Sequence, residues 1–313
     1  LLLLASLAGP LLPGMQASAQ EVMGQDELEM ERAELNQQLE ASQPVSQDDA
    51  TRGQQQGVTP PETLRPSPFS GTFAVDFRSQ YNTFGIVIQG QGISTQPYLN
   101  LRYNFYNNQS QSRFVNNITG FVTTWNDFSS NTHLWDRTSP YGNFTEADMI
   151  VGVAAVVAQR VNLNLSLTSF NSPAGAYGYG AWTRATLLYD DSGLMRPNFA
   201  IKPQMSFIYS LPSTGFIGFT PSSWLYEPGI TPNYSFRAGT PSPVNVALPM
   251  RLGLGSQFYG GSNYGYFSVG PQITMRLPAL STKALNTNLT LGYLYYNLGP
   301  TTASFCLLYT SPS

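Results

Sequence analysis

Tyr98-Leu99-Asn100-Leu101-Arg102-Tyr103-Asn104-Phe105 puts Leu99, Leu101, Tyr103 and Phe105 on one side of an extended chain and Asn100, Arg102 and Asn104 on the other. Successive side chains of a β-strand point to opposite faces, so this period of two reads as a strand with one apolar and one polar face. The pattern recurs on both sides of that stretch. Phe73, Val75, Phe77, Ser79 and Tyr81 oppose Thr72, Ala74, Asp76, Arg78 and Gln80. Val161, Leu163, Leu165 and Leu167 alternate with Asn162, Asn164, Ser166 and Thr168. Similar rows follow through Phe199–Tyr209, Val244–Leu254, Phe267–Leu277 and Leu289–Tyr295. Strands are expected near 73–88, 95–107, 114–126, 144–158, 160–171, 179–190, 199–211, 224–236, 244–258, 263–277 and 286–298.

Several of these segments exceed the ~5–6 residues usual in soluble strands. They suit the ~9–11 residues with which a tilted strand crosses a bilayer. The polar rows hold Asn, Gln, Ser, Thr and Gly with scattered Arg, which fits a confined aqueous interior. A sandwich surface would instead carry many Lys and Glu. Tyr and Phe collect near strand ends (Tyr81 and Phe84, Tyr103 and Phe105, Tyr293 with Tyr295 and Tyr296), as expected of interfacial girdles. The expected fold is all-β: an antiparallel transmembrane β-barrel of about 12 strands. Eleven strands are an odd number, so a twelfth is expected after Leu298.

Composition agrees. Of 313 residues, 42% are hydrophobic and 13% aromatic but only 11% charged, with one Cys and one His. That excludes a disulfide framework and a cysteine zinc site, and makes an imidazole metal site improbable. Residues 1–70 carry three basic and ten acidic side chains, a balance of −7, while the rest carries twelve basic and eight acidic, a balance of +4. Such a charge is no footprint of a nucleic-acid partner.

The front end is organised differently. Leu1–Leu4, Leu7, Leu11 and Leu12 form an apolar run followed by Ala17-Ser18-Ala19, so residues 1–19 read as a signal peptide. The opening Leu and the lack of a basic leader predict a reading frame truncated at its start. Residues 20–70 read as an acidic, partly helical periplasmic linker, with one short amphipathic helix over 26–41. The barrel is expected over 71–305. Residues 306–313 resemble translated adaptor sequence and are expected to be a non-native tail, leaving Cys306 without a role.

Ser79-Gln80-Tyr81 with Phe84-Gly85-Ile86-Val87-Ile88-Gln89 resembles the opening strand of the TorF-type porin family of bacterial outer-membrane barrels. Gln96-Pro97-Tyr98, Thr124-Trp125-Asn126, Glu146-Ala147-Asp148, Tyr189-Asp190-Asp191 and Gly265-Tyr266-Phe267-Ser268-Val269-Gly270 continue the similarity in order. It covers roughly residues 73–298 and implies a porin-like barrel. The family's first strand has an Arg before its Gly; here Phe84 precedes Gly85 directly.

Chemistry-bearing motifs are sparse. His133 has no Ser two residues on, so an outer-membrane phospholipase pattern is absent. Asp190-Asp191-Ser192-Gly193 reads as a hairpin turn rather than a paired-carboxylate or calcium site. Asp127, Asp136, Glu146 and Asp148 flank one long connection but lack a calcium-loop pattern. Gly90-Gln91-Gly92 is a turn, since no helix follows it. No catalytic residue, metal or cofactor is expected, and the chain is not expected to be an enzyme.

By the alternation, Asp76, Arg78, Arg102, Arg184, Asp190, Lys202, Arg251 and Arg276 stand on polar faces and are the expected pore-lining residues. A charge facing lipid at the bilayer midplane costs about 2–4 kcal/mol, so they should point inward. Six basic against two acidic side chains predicts a weak preference for anions; the competing reading makes the arginines structural struts. The expected function is passive diffusion of small hydrophilic solutes or ions across the outer membrane, with lipid as the surrounding partner. The alternative is a non-conducting barrel serving as anchor or scaffold. Trimeric assembly is expected only by analogy with porins.

Overall fold

A computed structural model describes residues 68–89, 92–108, 114–130, 142–175, 177–212, 221–238, 240, 242–259, 261–281 and 286–303. The signal-peptide assignment, the linker up to residue 67, His133, Asp136, Gly90, Gln91 and Cys306 lie outside the described residues; the linker ends slightly earlier than expected, since Phe69 and Ser70 already belong to the first strand.

The chain forms β1 (Phe69–Arg78), β2 (Tyr81–Thr83), β3 (Ile86–Gln89), β4 (Ser94–Asn107), β5 (Val115–Ser129), β6 (Phe144–Val157), β7 (Val161–Asn171), β8 (Gly180–Tyr189) and β9 (Phe199–Ala200). It continues through β10 (Gln204–Ser210), β11 (Trp224–Ile230), β12 (Asn233–Phe236), β13 (Val244–Ala247), β14 (Met250–Tyr259), β15 (Ser262–Val269), β16 (Gln272–Arg276), β17 (Asn288–Gly292) and β18 (Tyr295–Leu298). Eleven strands pair in the order β1-β4-β5-β6-β7-β8-β10-β11-β14-β15-β18, and five more in the order β17-β16-β13-β12-β9. Every pairing is antiparallel.

The smaller sheet is the continuation of the larger one. The five expected strands from residue 199 onward each bend partway, and four of the bends hold a proline: Pro203, Pro232, Pro249 and Pro271. Proline has no N–H to give to a ladder. Its carbonyl still accepts: Pro203 from Tyr189 (3.0 Å), Pro232 from Leu248 (2.8 Å), Pro249 from Gly270 (3.3 Å) and Pro271 from Tyr293 (3.0 Å). One-sided bonding lets the strands turn a corner together without parting.

The sheet curls tightly. Strands lie ~4.8 Å apart, so β5 and β15, seven steps apart in the order, would be roughly 33 Å apart if flat. Yet Tyr81 rests on Trp125 of β5 with ring centroids 5.4 Å apart, and a Cβ built on Gly85, four residues on, would lie 2.9 Å from Tyr266 of β15. Four residues of chain reach at most about 14 Å. The two walls therefore face each other across residues 81–89.

Polarity is sorted inside-out. One residue from each successive strand, register-paired from β1 to β15, gives the row Phe69, Tyr103, Gly120, Val153, Leu165, Ala185, Phe207, Tyr226, Leu254, Tyr264. No member carries a charge. Val153, Phe207 and Tyr226 are exposed, and Leu165 is 62% exposed. The opposite face buries Gln96, Asn100, Arg102, Thr123, Asn162, Asn164, Thr186 and Ser206.

Three expectations change. The first strand ends at Arg78 rather than running to 88, because Phe84 (φ 48°) and Gly85 (φ 80°) fold the chain back on itself. Tyr81 and Phe84 are therefore interior and belong to no girdle. Among the described residues the barrel is not closed: β1 and β18 are the two edges of the sheet. Eleven antiparallel strands leave the first and last running parallel, so among the described residues no return strand joins them. Residues 300–303 make a helical turn, with the Ala303 N–H donating to the Gly299 carbonyl at 2.8 Å, and residues 304–313 are outside the described residues.

Close approach inside the curl is tested at Gly265, where an added Cβ would lie 2.1 Å from the Tyr259 ring. Gly265→Ala should destabilise the fold by about 1–3 kcal/mol, the usual cost of overpacking, seen as an earlier urea midpoint. Gly178→Ala, with nothing within 4 Å of the new methyl, should leave the midpoint unchanged.

Candidate functional site: the interior of the curled sheet

Residues Tyr81–Gln89 are buried without exception. Thr83 pairs with Ile86 across the two-residue turn Phe84-Gly85. Positive φ at both turn positions is the geometry that keeps a tight hairpin in twist with its strands. Because Ile86-Val87-Ile88 is apolar on both faces, it finds burial only where protein surrounds it on every side. The hairpin lies in the concavity, against both walls.

Its anchors are aromatic. The Phe84 ring meets Trp182 of β8 edge-on at 5.4 Å and Phe258 of β14 at 5.8 Å. The Arg184 guanidinium sits over the same ring, 5.4 Å from its centroid. The Tyr259 hydroxyl donates to the Phe84 carbonyl at 3.0 Å. Trp182 packs on Phe170 of β7 at 4.4 Å. Tyr81, Phe84, Ile86, Ile88, Trp125, Phe170, Trp182, Phe258, Tyr259 and Tyr266 form one buried cluster. This end of the interior is a packed core.

Carboxylates ring that core. Asp127 of β5 accepts from the Ser94 and Thr145 hydroxyls and from the Gln96 amide at 3.2 Å. Glu146 of β6 accepts the Tyr81 hydroxyl, and Glu227 of β11 accepts that of Tyr266. Glu227 also pairs with Arg184 at 3.7 Å. Tyr177, in the connection after β7, is buried near Glu146; burial first and that neighbouring carboxylate second push its phenol well above the ordinary value.

The other end is polar rather than packed. The Asn100 amide donates to Thr123 at 2.6 Å and receives the Arg102 Nε–H at 2.7 Å. Thr186 and Ser206 share a 2.9 Å bond. Arg251 is buried and lies across Gly229, where an added Cβ would be 2.5 Å from the guanidinium.

The expected pore-lining residues divide. Arg102, Arg184 and Arg251 are on the inner face, as are Asp76 and Arg78, which pair at 3.1 Å. Arg276 shares the face of Gln272 and Thr274 on the smaller sheet and bonds Asn286. Asp190 instead stands at the turn after β8, where its carboxylate accepts the Ser192 N–H at 3.0 Å. Lys202 lies at the first bend, its backbone N–H donating to Asp191 at 2.8 Å.

Alternation missed Asp127, Glu146, Asp148 and Glu227. All four are buried on the inner face. Asp127 fell just outside an expected strand that in fact runs on to Ser129. The burial of Tyr81–Gln89 had one sequence signal, the unbroken apolar run Ile86-Val87-Ile88 within an otherwise alternating region. Among the described residues no group of three or more His, Cys, Asp or Glu is arranged to hold an ion.

Comparison with known proteins adds no relative: no family model, no curated protein and no solved structure matches this chain.

Tyr177 provides a pH test. A phenol raised in the folded state gives stability that is complete below its usual value of about 10 and is lost as pH rises through the raised value. Tyr177→Phe should therefore lose less stability than the wild type between pH 9 and pH 12, measured by denaturant titration at each pH.

Proposed function

We propose that this chain is an outer-membrane, porin-like protein whose curled sheet sits in lipid and passes small hydrophilic solutes or ions through its interior. The observation that carries the reading is the uncharged outer row from Phe69 to Tyr264 with polar side chains behind it. A water-soluble protein rarely exposes a contiguous apolar surface beyond a few hundred Å². Here the row crosses ten strands of the sheet. Lipid satisfies such a surface, and a sheet with its ladder bonds made meets the bilayer's demand that backbone groups be paired.

Aromatic pairs near strand ends support the same reading. Tyr103 and Phe105 lie at one end, 5.1 Å apart, and Tyr234 and Phe236 at 4.7 Å mark the same side on the smaller sheet. Phe128 stacks on Phe144 at 4.6 Å at the opposite end, with Tyr209 and Trp224 at 4.7 Å. Two aromatic levels flanking an apolar band are what membrane interfaces favour.

The inner face of the main sheet does not carry the basic excess behind the expected anion preference. Among the described residues, the inner face of the main sheet holds Arg78, Arg102, Arg184 and Arg251 beside Asp76, Asp127, Glu146, Asp148 and Glu227. The arginines have carboxylates and amides for company, as struts would. The alternative reading, a barrel that anchors without conducting, is favoured by one observation: the core packed around Tyr81–Gln89.

Membrane embedding is tested by Leu165→Arg on the outer row. In protein refolded into phospholipid vesicles it should cost about 2–4 kcal/mol, measured by guanidinium titration. A cost near zero would mean that water, not lipid, meets this face. Planar-bilayer recordings of the full chain test conduction, and a reversal potential under a salt gradient should show little selectivity for chloride over potassium.

A further inference from the structure

We propose that the hairpin Tyr81–Gln89 is a displaceable plug, with Phe84 as the residue that seals the interior and Asn82 as the built-in cost that lets it leave. The proposal rests on the channel reading and names the element that limits passage. Its first support is position: the hairpin touches walls seven strands apart and is buried throughout. The Phe84 ring packs on Trp182 and Phe258, and its carbonyl takes the Tyr259 hydroxyl, so the hairpin tip bridges side chains of β8 and β14.

The second support is that the inserted state carries two local costs. Phe84 holds φ at 48°, a region that suits Asn, Asp or Gly and disfavours a bulky side chain. Asn82 is 3% exposed, and neither its amide nitrogen nor its amide oxygen has a hydrogen-bond partner. Water would satisfy that amide, so leaving the interior recovers what burial costs. Aromatic packing around Phe84 opposes this release. The hairpin is held by the Phe84 ring, by Tyr81 on Trp125 and Glu146, and by buried Ile86 and Ile88, and it is penalised by one amide and one strained φ.

The two residues make opposite predictions. Single-channel recording of the full chain in planar bilayers should show brief, infrequent openings. Phe84→Ala removes the seal and should raise the open fraction about tenfold, while Asn82→Leu removes the unpaired amide and should lower it about tenfold. Replacing residues 81–89 with a short Gly-Ser linker should give a steady, larger conductance. Tryptophan fluorescence in vesicles reports insertion for each variant. If the wild type already conducts steadily and neither point variant changes it, the plug is refuted and the channel reading stands. If inserted linker protein conducts no better than an empty bilayer, the channel reading itself falls. Should Phe84→Ala or the linker variant not insert, Asn82→Leu decides alone: an open fraction equal to or above wild type overturns the proposal.

Discussion

The antiparallel ladder and its register are the constraint on which everything else depends. With side chains alternating at every residue, a slip of one position would exchange the two faces of a strand. Val153 beside Leu165, and Phe207 beside Tyr226, hold neighbouring strands to one sorting. On the other face, Asn100 with Thr123 and Thr186 with Ser206 hold the same register through hydrogen bonds. Either set alone would leave the strands free to present mixed faces. Together they make an apolar outside and a polar inside the only arrangement that satisfies both.

That sorting leaves the interior with a problem of its own. A curled sheet lined with amides and carboxylates encloses groups that must be paired or wet. At one end pairing is direct, through side chains on adjacent strands. At the other the hairpin supplies the partner: Tyr81 answers Glu146, and the Phe84 carbonyl answers Tyr259. The aromatic cluster there is this molecule's only extended apolar core among the described residues, and it is built around an inserted segment rather than between sheets. Stability and any passage through the interior are thus set by the same few side chains.

The prolines shape the far half without breaking it. Four of them stand in adjacent bends, and each still accepts a bond from a neighbouring stretch of the sheet. A lone proline would terminate its strand, whereas proline bends aligned across neighbours turn the whole sheet.

Much of this was legible in the sequence. Alternation located the eleven long strands, their outer apolar rows and the inward arginines at 102, 184 and 251, because a period of two is a local property of extended chain. It could not show that Tyr81–Gln89 leaves the wall, since a strand and an inserted hairpin differ only in what surrounds them. Nor could it show that Asp127, Glu146 and Glu227 share the interior with those arginines, because their partners are 33, 65 and 39 residues away in the chain. Local periodicity determined which side of each strand is greasy. The inner balance of charge, the aligned bends and the filled core arise from long-range neighbours, and only the tertiary structure decided those.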